Sequence, residues 1–204
     1  MRIISGLARG IRLNAPLDKN IRPTEDRVKE SVFGTLGDLS GKTVVDLFAG
    51  SGALGLEALS RGAAMVYFVE RERRHVRLIE ENLALVLKAM NESSSKAAII
   101  CGDAKSTPLL LPQLSGKVDV VLADPPYTET AETYGANALI ADEALAEWAG
   151  SQCLLSLEHA STTILRWYPL SRWELLREKE FGIRAVSFAR TGRNQDEENN
   201  QSEE

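Results

Sequence analysis

Residues 44–63 read VVDLFAGSGALGLEALSRGA. Their opening run, 44–47, is apolar and β-prone around one acid, as a buried strand requires. Gly50-x-Gly52-x-x-Gly55 follows, and from Ala53 onward the residues are good helix formers. A strand, a glycine turn and a helix in this order form a ligand-binding βα unit. The glycines let the backbone approach a ligand closely, and the helix N-terminus favours an anionic group.

Working outward, the same alternation continues in both directions. Strands are expected at 43–48, 65–70, 97–101, 118–123 and 152–157, and helices at 53–61 and 136–149. A longer helix is marked by Val76, Ile79, Leu83, Val86, Leu87 and Met90, with a loop at 93–95. Short apolar strands separated by helices predict a mostly parallel sheet covered on both faces. Segments 173–181 and 183–190 meet at Gly182 with no room for a crossover, so this last pair must be antiparallel. Upstream, 2–15 reads as a small hairpin or arm. Thr24 is a candidate cap for a helix with Glu25 and Asp26 in its first turn, a stripe of Val28, Val32, Phe33 and Leu36, and a stop at Gly37. The expected organisation is a basic arm and helix over 1–38, a Rossmann-like α/β domain over 39–190, and a disordered acidic tail over 191–204.

Charge distribution matters more than the net of −5. Asp196, Glu197, Glu198, Glu203 and Glu204 stand against Arg193 alone in the tail. The head carries Arg2, Arg9, Arg12, Lys19, Arg22, Arg27 and Lys29 against Asp18, Glu25, Asp26 and Glu30. A basic head suits a phosphate-bearing partner, and a tail without apolar anchors suits disorder. No signal peptide or spanning segment is read, and the expected compartment is the cytoplasm. Cys101 and Cys153 are expected as buried, reduced thiols, and neither they nor His75 and His159 have metal-ligand spacing, so no metal is expected.

The glycine loop alone suits several nucleotide cofactors. Glu70 ends the next strand, where an acid accepts from ribose hydroxyls. Asp46 lies four residues before Gly50, in an acid-x-Phe48-x-Gly-x-Gly pattern. A carboxylate there repels a pyrophosphate but orders the loop around a ligand bearing an ammonium group. Asp103 in ICGDA sits just past the third strand, in reach of an adenine amino group. Together they favour S-adenosylmethionine, with Ser51, Gly52 and Ala104 completing the candidate cofactor set.

The fourth strand ends in Asp124-Pro125-Pro126-Tyr127, at the edge where doubly wound sheets bind ligands. An exocyclic base amine is a poor nucleophile because its lone pair is delocalised into the ring. Two acceptors aimed at its N–H groups favour a pyramidal nitrogen, and the Asp124 carboxylate and Pro125 carbonyl are candidates. The prolines hold that carbonyl rigidly, and Tyr127 offers a face for stacking the base. The chemistry expected is methyl transfer to an amine.

RIISG (2–6), RPTEDRVKESVFGTL (22–36), the 44–63 stretch, FVE (68–70), GDA (102–104) and DVVLADPPY (119–127) resemble the RsmD-type 16S rRNA guanine-N2 methyltransferases of bacteria, class I S-adenosylmethionine-dependent enzymes. The resemblance covers about residues 2–190. It implies one guanine of 16S rRNA methylated on N2 in a partly assembled 30S particle, with Asp124, Pro125 and Tyr127 at the base. It further implies phosphate contacts from Arg2, Arg9, Arg12 and Arg22, with Arg27 in the same basic arm. Ala8, Gly34 and Phe181 depart from the family's usual residues, away from the expected chemistry.

Three rivals remain open. An adenine-N6 methyltransferase shares the edge, but DNA-directed ones usually add a target-recognition region for which this chain has no spare residues. An NAD-dependent oxidoreductase leaves the edge and the arm without a purpose. A catalytically silent assembly factor is opposed by the intact acid and aromatic. A monomer is expected.

Overall fold

The computed structural model describes residues 1–15, 26–92, 96–127, 133–167 and 171–192. Thr24, Arg22, the 93–95 loop and all but the first two residues of the tail lie outside these. The elements in chain order are α1 (Asp26–Leu36), β1 (Thr43–Leu47), α2 (Ala53–Ser60), β2 (Met65–Glu70), α3 (Arg73–Met90), β3 (Ala97–Cys101), α4 (Thr107–Leu110), β4 (Val120–Ala123), α5 (Ala136–Ile140), α6 (Glu143–Ala149), β5 (Leu154–Ala160), β6 (Trp173–Phe181) and β7 (Arg184–Thr191).

The strands form one sheet in the order β3-β2-β1-β4-β5-β7-β6. The first five run parallel, β7 is antiparallel to β5, and β6 is antiparallel to β7. This is the expected mostly parallel sheet with an antiparallel end, and Gly182 turns between the last two strands at φ 65°. β4 lies between two parallel neighbours and is buried along its whole length, hence its unbroken apolar run. Strand order reverses between β1 and β4, which places a crevice at their carboxyl ends.

Two apolar layers flank the sheet. One joins α1, α2 and α3 to Ile3, Ala8 and Leu13 of the arm. The other joins α5 and α6 to the opposite face, around Trp148 and Trp173. The arm is therefore part of the core, anchored by three of its own apolar residues. Among the described residues no helix is long and apolar enough to cross a membrane.

The structure corrects four sequence expectations. The helix over 136–149 is two helices, because Asp142 leaves helical geometry and caps α6 by accepting from Leu145 N at 3.0 Å. β5 runs on to Ala160 rather than stopping at 157, since its full length pairs with β7. Cys101 is exposed at the end of β3, whereas Cys153 is buried as expected. Lys29 belongs to the interior rather than to a basic surface.

Candidate active site

A cavity of about 1040 Å³ opens at the carboxyl ends of the parallel strands. Its floor comes from the turn after β1. Phe48 takes a left-handed conformation (φ 58°), as do Gly50 and Gly52. Gly55 is required for a different reason. A Cβ there would stand 2.4 Å from Phe68 Cε1 and 2.9 Å from Asp46 Oδ2, so a side chain would push α2 off the sheet.

Two carboxylates hold this turn. Asp46 Oδ2 accepts from Gly55 N at 2.8 Å, tying β1 to the start of α2. Burial raises its carboxyl well above the usual range, Asp124 and Glu70 add to the rise, and the Gly55 bond opposes it. Glu70 Oε2 accepts from Gly50 N at 2.7 Å and Oε1 from Glu72 N at 2.9 Å. Glu70 therefore orders the loop backbone while lining the cavity. His75 Nδ1 lies 3.6 Å from Glu70 Oε1. Among the described residues, His75 Nε2 is buried without a hydrogen-bond partner, a polar atom that a hydroxyl-bearing ligand would satisfy.

Asp103 accepts from Lys105 N at 2.9 Å and is exposed at the cavity wall, followed by the buried Ala104. Ser51 turns its hydroxyl toward Met1 Sδ at 3.5 Å. Tyr134 is a lining residue that the sequence did not mark. Its ring stacks on Phe48 at 6.1 Å, and its hydroxyl donates to Asp142 Oδ2 at 2.8 Å. These groups give one half of the cavity an aromatic wall and acceptors from β2 and the β3 end, which fits an adenosine.

The other half is the Asp124-Pro125-Pro126-Tyr127 edge. Asp124 is partly exposed to the cavity yet walled in enough that burial pushes its carboxyl up to about 8, helped by the Glu158 carboxylate and opposed by Arg184. Tyr127 is 39% exposed and donates its hydroxyl hydrogen to Glu158 Oε1 at 2.6 Å. Arg184 Nη1 donates to the same oxygen at 3.1 Å. Glu158 and Arg184, both buried, were missed in the sequence. The signal available for Glu158 was an acid directly after the apolar run expected as the last parallel strand, the pattern that marked Glu70.

The arm docks against α2 through polar contacts. Glu57, fully buried, accepts from Ile4 N at 2.7 Å, Ser5 N at 3.0 Å and Arg61 Nε at 2.8 Å. Asn82, also fully buried, donates to Ser51 O at 2.9 Å and accepts from Asn14 N at 2.7 Å. It thus links the glycine turn to the arm. Arg9 and Arg12 are exposed, Arg2 pairs with Asp26 at 2.8 Å, and the Arg27 guanidinium lies 6.0 Å over the Phe181 ring. None of the four lines the cavity. Among the described residues no cluster of His, Cys, Asp and Glu is arranged to hold a metal.

Residues 1–190 match the family described as Conserved hypothetical protein 95. The chain is 40% identical to the ribosomal RNA small subunit methyltransferase D of Escherichia coli over 71% of its own length and 72% of that protein. The chain belongs to this family. To the Haemophilus influenzae methyltransferase D, another relative, it is 33% identical over 90% of each chain. The solved structure of the Escherichia coli protein yhhF superposes with a TM-score of 0.76 at 32% identity, covering 95% of this chain and 99% of that one. The family match spans the arm and the sheet together, in keeping with their shared core.

Proposed function

We propose that this chain transfers a methyl group from S-adenosylmethionine to the exocyclic N2 of a guanine in 16S rRNA, within the 30S particle. The observation that supports this reading is one cavity with two chemically different halves: the glycine turn with Glu70 and Asp103, and the Asp124-Pro125-Pro126-Tyr127 edge. The names of the E. coli and H. influenzae relatives support the coarser part of this reading, methyl transfer to small-subunit ribosomal RNA.

Glu70 accepts from the ribose hydroxyls while retaining Gly50, Asp103 takes the adenine amino group, and Phe48, Tyr134 and Ala104 pack the adenosine. Asp46, Ser51 and Gly52 hold the turn against it. S-adenosylmethionine would supply an electrophilic sulfonium-bound methyl to the N2 lone pair and leave as the neutral thioether S-adenosylhomocysteine, and the proton that N2 must then shed would pass to Asp124. Asp124 and the Pro125 carbonyl accept from the two N2–H groups and orient the lone pair, and Tyr127 stacks the base. Asp124 must be ionised to take the N2 proton.

Residues 1–38 form the RNA-contacting extension, in which Arg2, Arg9, Arg12, Arg22 and Arg27 meet phosphates, and 39–190 form the methyltransferase domain. The protein acts as a cytoplasmic monomer, and the acidic tail from 191 onward takes no part in catalysis. The test is labelled S-adenosylmethionine with undermethylated 30S particles, naked 16S rRNA and DNA, read by nucleoside mass spectrometry. N2-methylguanosine from the particles is expected. N6-methyladenine would keep the chemistry and overturn the base. Bound cofactor without transfer to any substrate would favour an assembly factor.

A further inference from the structure

We propose that Arg184 is the residue that reads the target base as guanine, by donating to its 6-oxygen. The assignment rests on the guanine reading above and adds to it the side chain that enforces it.

The sheet register brings the necessary groups together. Ala123 of β4 pairs with Leu157 of β5, so Asp124, just past the end of β4, comes beside Glu158, which is still within β5. Arg184, at the start of β7, pairs with Ala160 and reaches diagonally back to Glu158 Oε1. Asp124, Tyr127, Glu158 and Arg184 all line the cavity. The ion pair has side-chain exposures of 7% and 4%.

A buried guanidinium is costly unless its donors are satisfied. Glu158 Oε1 receives Nη1 and is also the acceptor for Tyr127. Among the described residues, no hydrogen bond engages the Nε or Nη2 donors, and neither is a buried unpartnered atom, so both keep an opening to solvent where Arg184 lines the cavity. These donors belong to a side chain that cannot accept a hydrogen bond at any pH. Guanine carries an acceptor at position 6, and adenine carries an amino donor there. A donor-only group in the base pocket therefore favours guanine and leaves two donors facing each other when adenine enters. The carboxylates of Asp124 and Glu158 complement the N2 and N1 hydrogens on the same edge, the donor-donor-acceptor order that guanine alone presents. Enzymes that take a base out of its stack read this edge in the pocket.

An anchor for Glu158 and Tyr127 could explain Arg184 without any base contact, so the test must separate the two roles. Wild type, Arg184→Met and Arg184→Lys are compared on small-subunit RNA with either guanine or 2-aminopurine at the methylated position. 2-Aminopurine keeps the 2-amino nucleophile and lacks the 6-oxygen. It also lacks the N1 hydrogen, so part of the discrimination stays with the carboxylates. The expected result is that wild type prefers guanine in kcat/KM and that Arg184→Met loses at least about tenfold of that preference, with Arg184→Lys between them. Retained cofactor binding shows that the variants are folded. An equal fall on both RNAs, with the preference intact, would mean that Arg184 only positions its neighbours and overturns the assignment. No N2-methylguanosine from wild type on guanine RNA would instead overturn the functional reading beneath it.

Discussion

Glu57 and Lys29 face each other at 3.9 Å with neither side chain open to solvent. Lys29 Nζ also donates to the Arg2 carbonyl, and Glu57 receives two amides of the arm. Burial lowers the Lys29 ammonium, and the Glu57 carboxylate is the largest influence opposing that fall. The pair is the joint between the arm and the helix that follows the glycine turn. Glu57→Ala would strand Lys29 without its counter-charge and release the arm, at a cost of about 3–5 kcal/mol. Chemical denaturation checks this. Pairing Glu57→Met with Lys29→Met is expected to recover part of the loss, because two apolar groups then replace two buried charges.

Cofactor and base contacts separate by variant. Asp124→Ala is expected to lower kcat about 10²–10³-fold while calorimetry finds S-adenosylmethionine still bound. Glu70→Ala removes the proposed ribose acceptor together with the partner of Gly50 N, so cofactor affinity is expected to fall first, by about 10–100-fold. Equal loss of cofactor affinity in both would undo the division of the cavity into two halves.

The raised Asp124 carboxyl gives a pH dependence. Since the ionised form is needed to take the N2 proton, kcat/KM should climb with pH up to about 8 and then level off. Glu158 is the neighbouring charge that adds to this rise, so Glu158→Gln should move the climb to lower pH. Stability runs the other way. A carboxyl raised on folding stabilises the native state below its unfolded value, and that contribution is lost as pH rises through the folded one. Asp124→Asn should therefore raise Tm relative to wild type at pH 9, with the difference closing near pH 4. A pH-independent Tm difference would remove the linkage.

Gly55→Ala tests the close approach of α2 to β2. The added Cβ meets Phe68 at 2.4 Å, and a core that must shift to admit it loses about 1–3 kcal/mol. Thermal unfolding measures it, and an unchanged Tm would show that the ring moves freely.

Arg9→Glu and Arg12→Glu leave the cavity untouched, since neither residue lines it. Each is expected to raise KM for the RNA and to reduce the slope of affinity against salt by about one phosphate contact. A salt-independent effect would make the arm's charges structural only.

What the sequence alone determined is local. The strand, glycine turn and helix of 43–60 follow from periodicity and from what glycine permits, and the acids ending strands mark their own positions. The antiparallel end was legible because a turn at Gly182 is too short for any crossover. Only the tertiary structure decided the partners of these acids. Glu158 and Arg184 lie 26 residues apart and meet because β7 runs back along β5, a register that no local pattern encodes. Lys29 reads as a surface cation on a polar stretch, yet α1 turns it inward to the Arg2 carbonyl. Asn82 sits on an otherwise apolar helix stripe, and its use becomes visible only when the arm and the glycine turn arrive at its two ends. Side-chain type is local information, whereas the pairing of buried polar groups depends on which surfaces the sheet brings together.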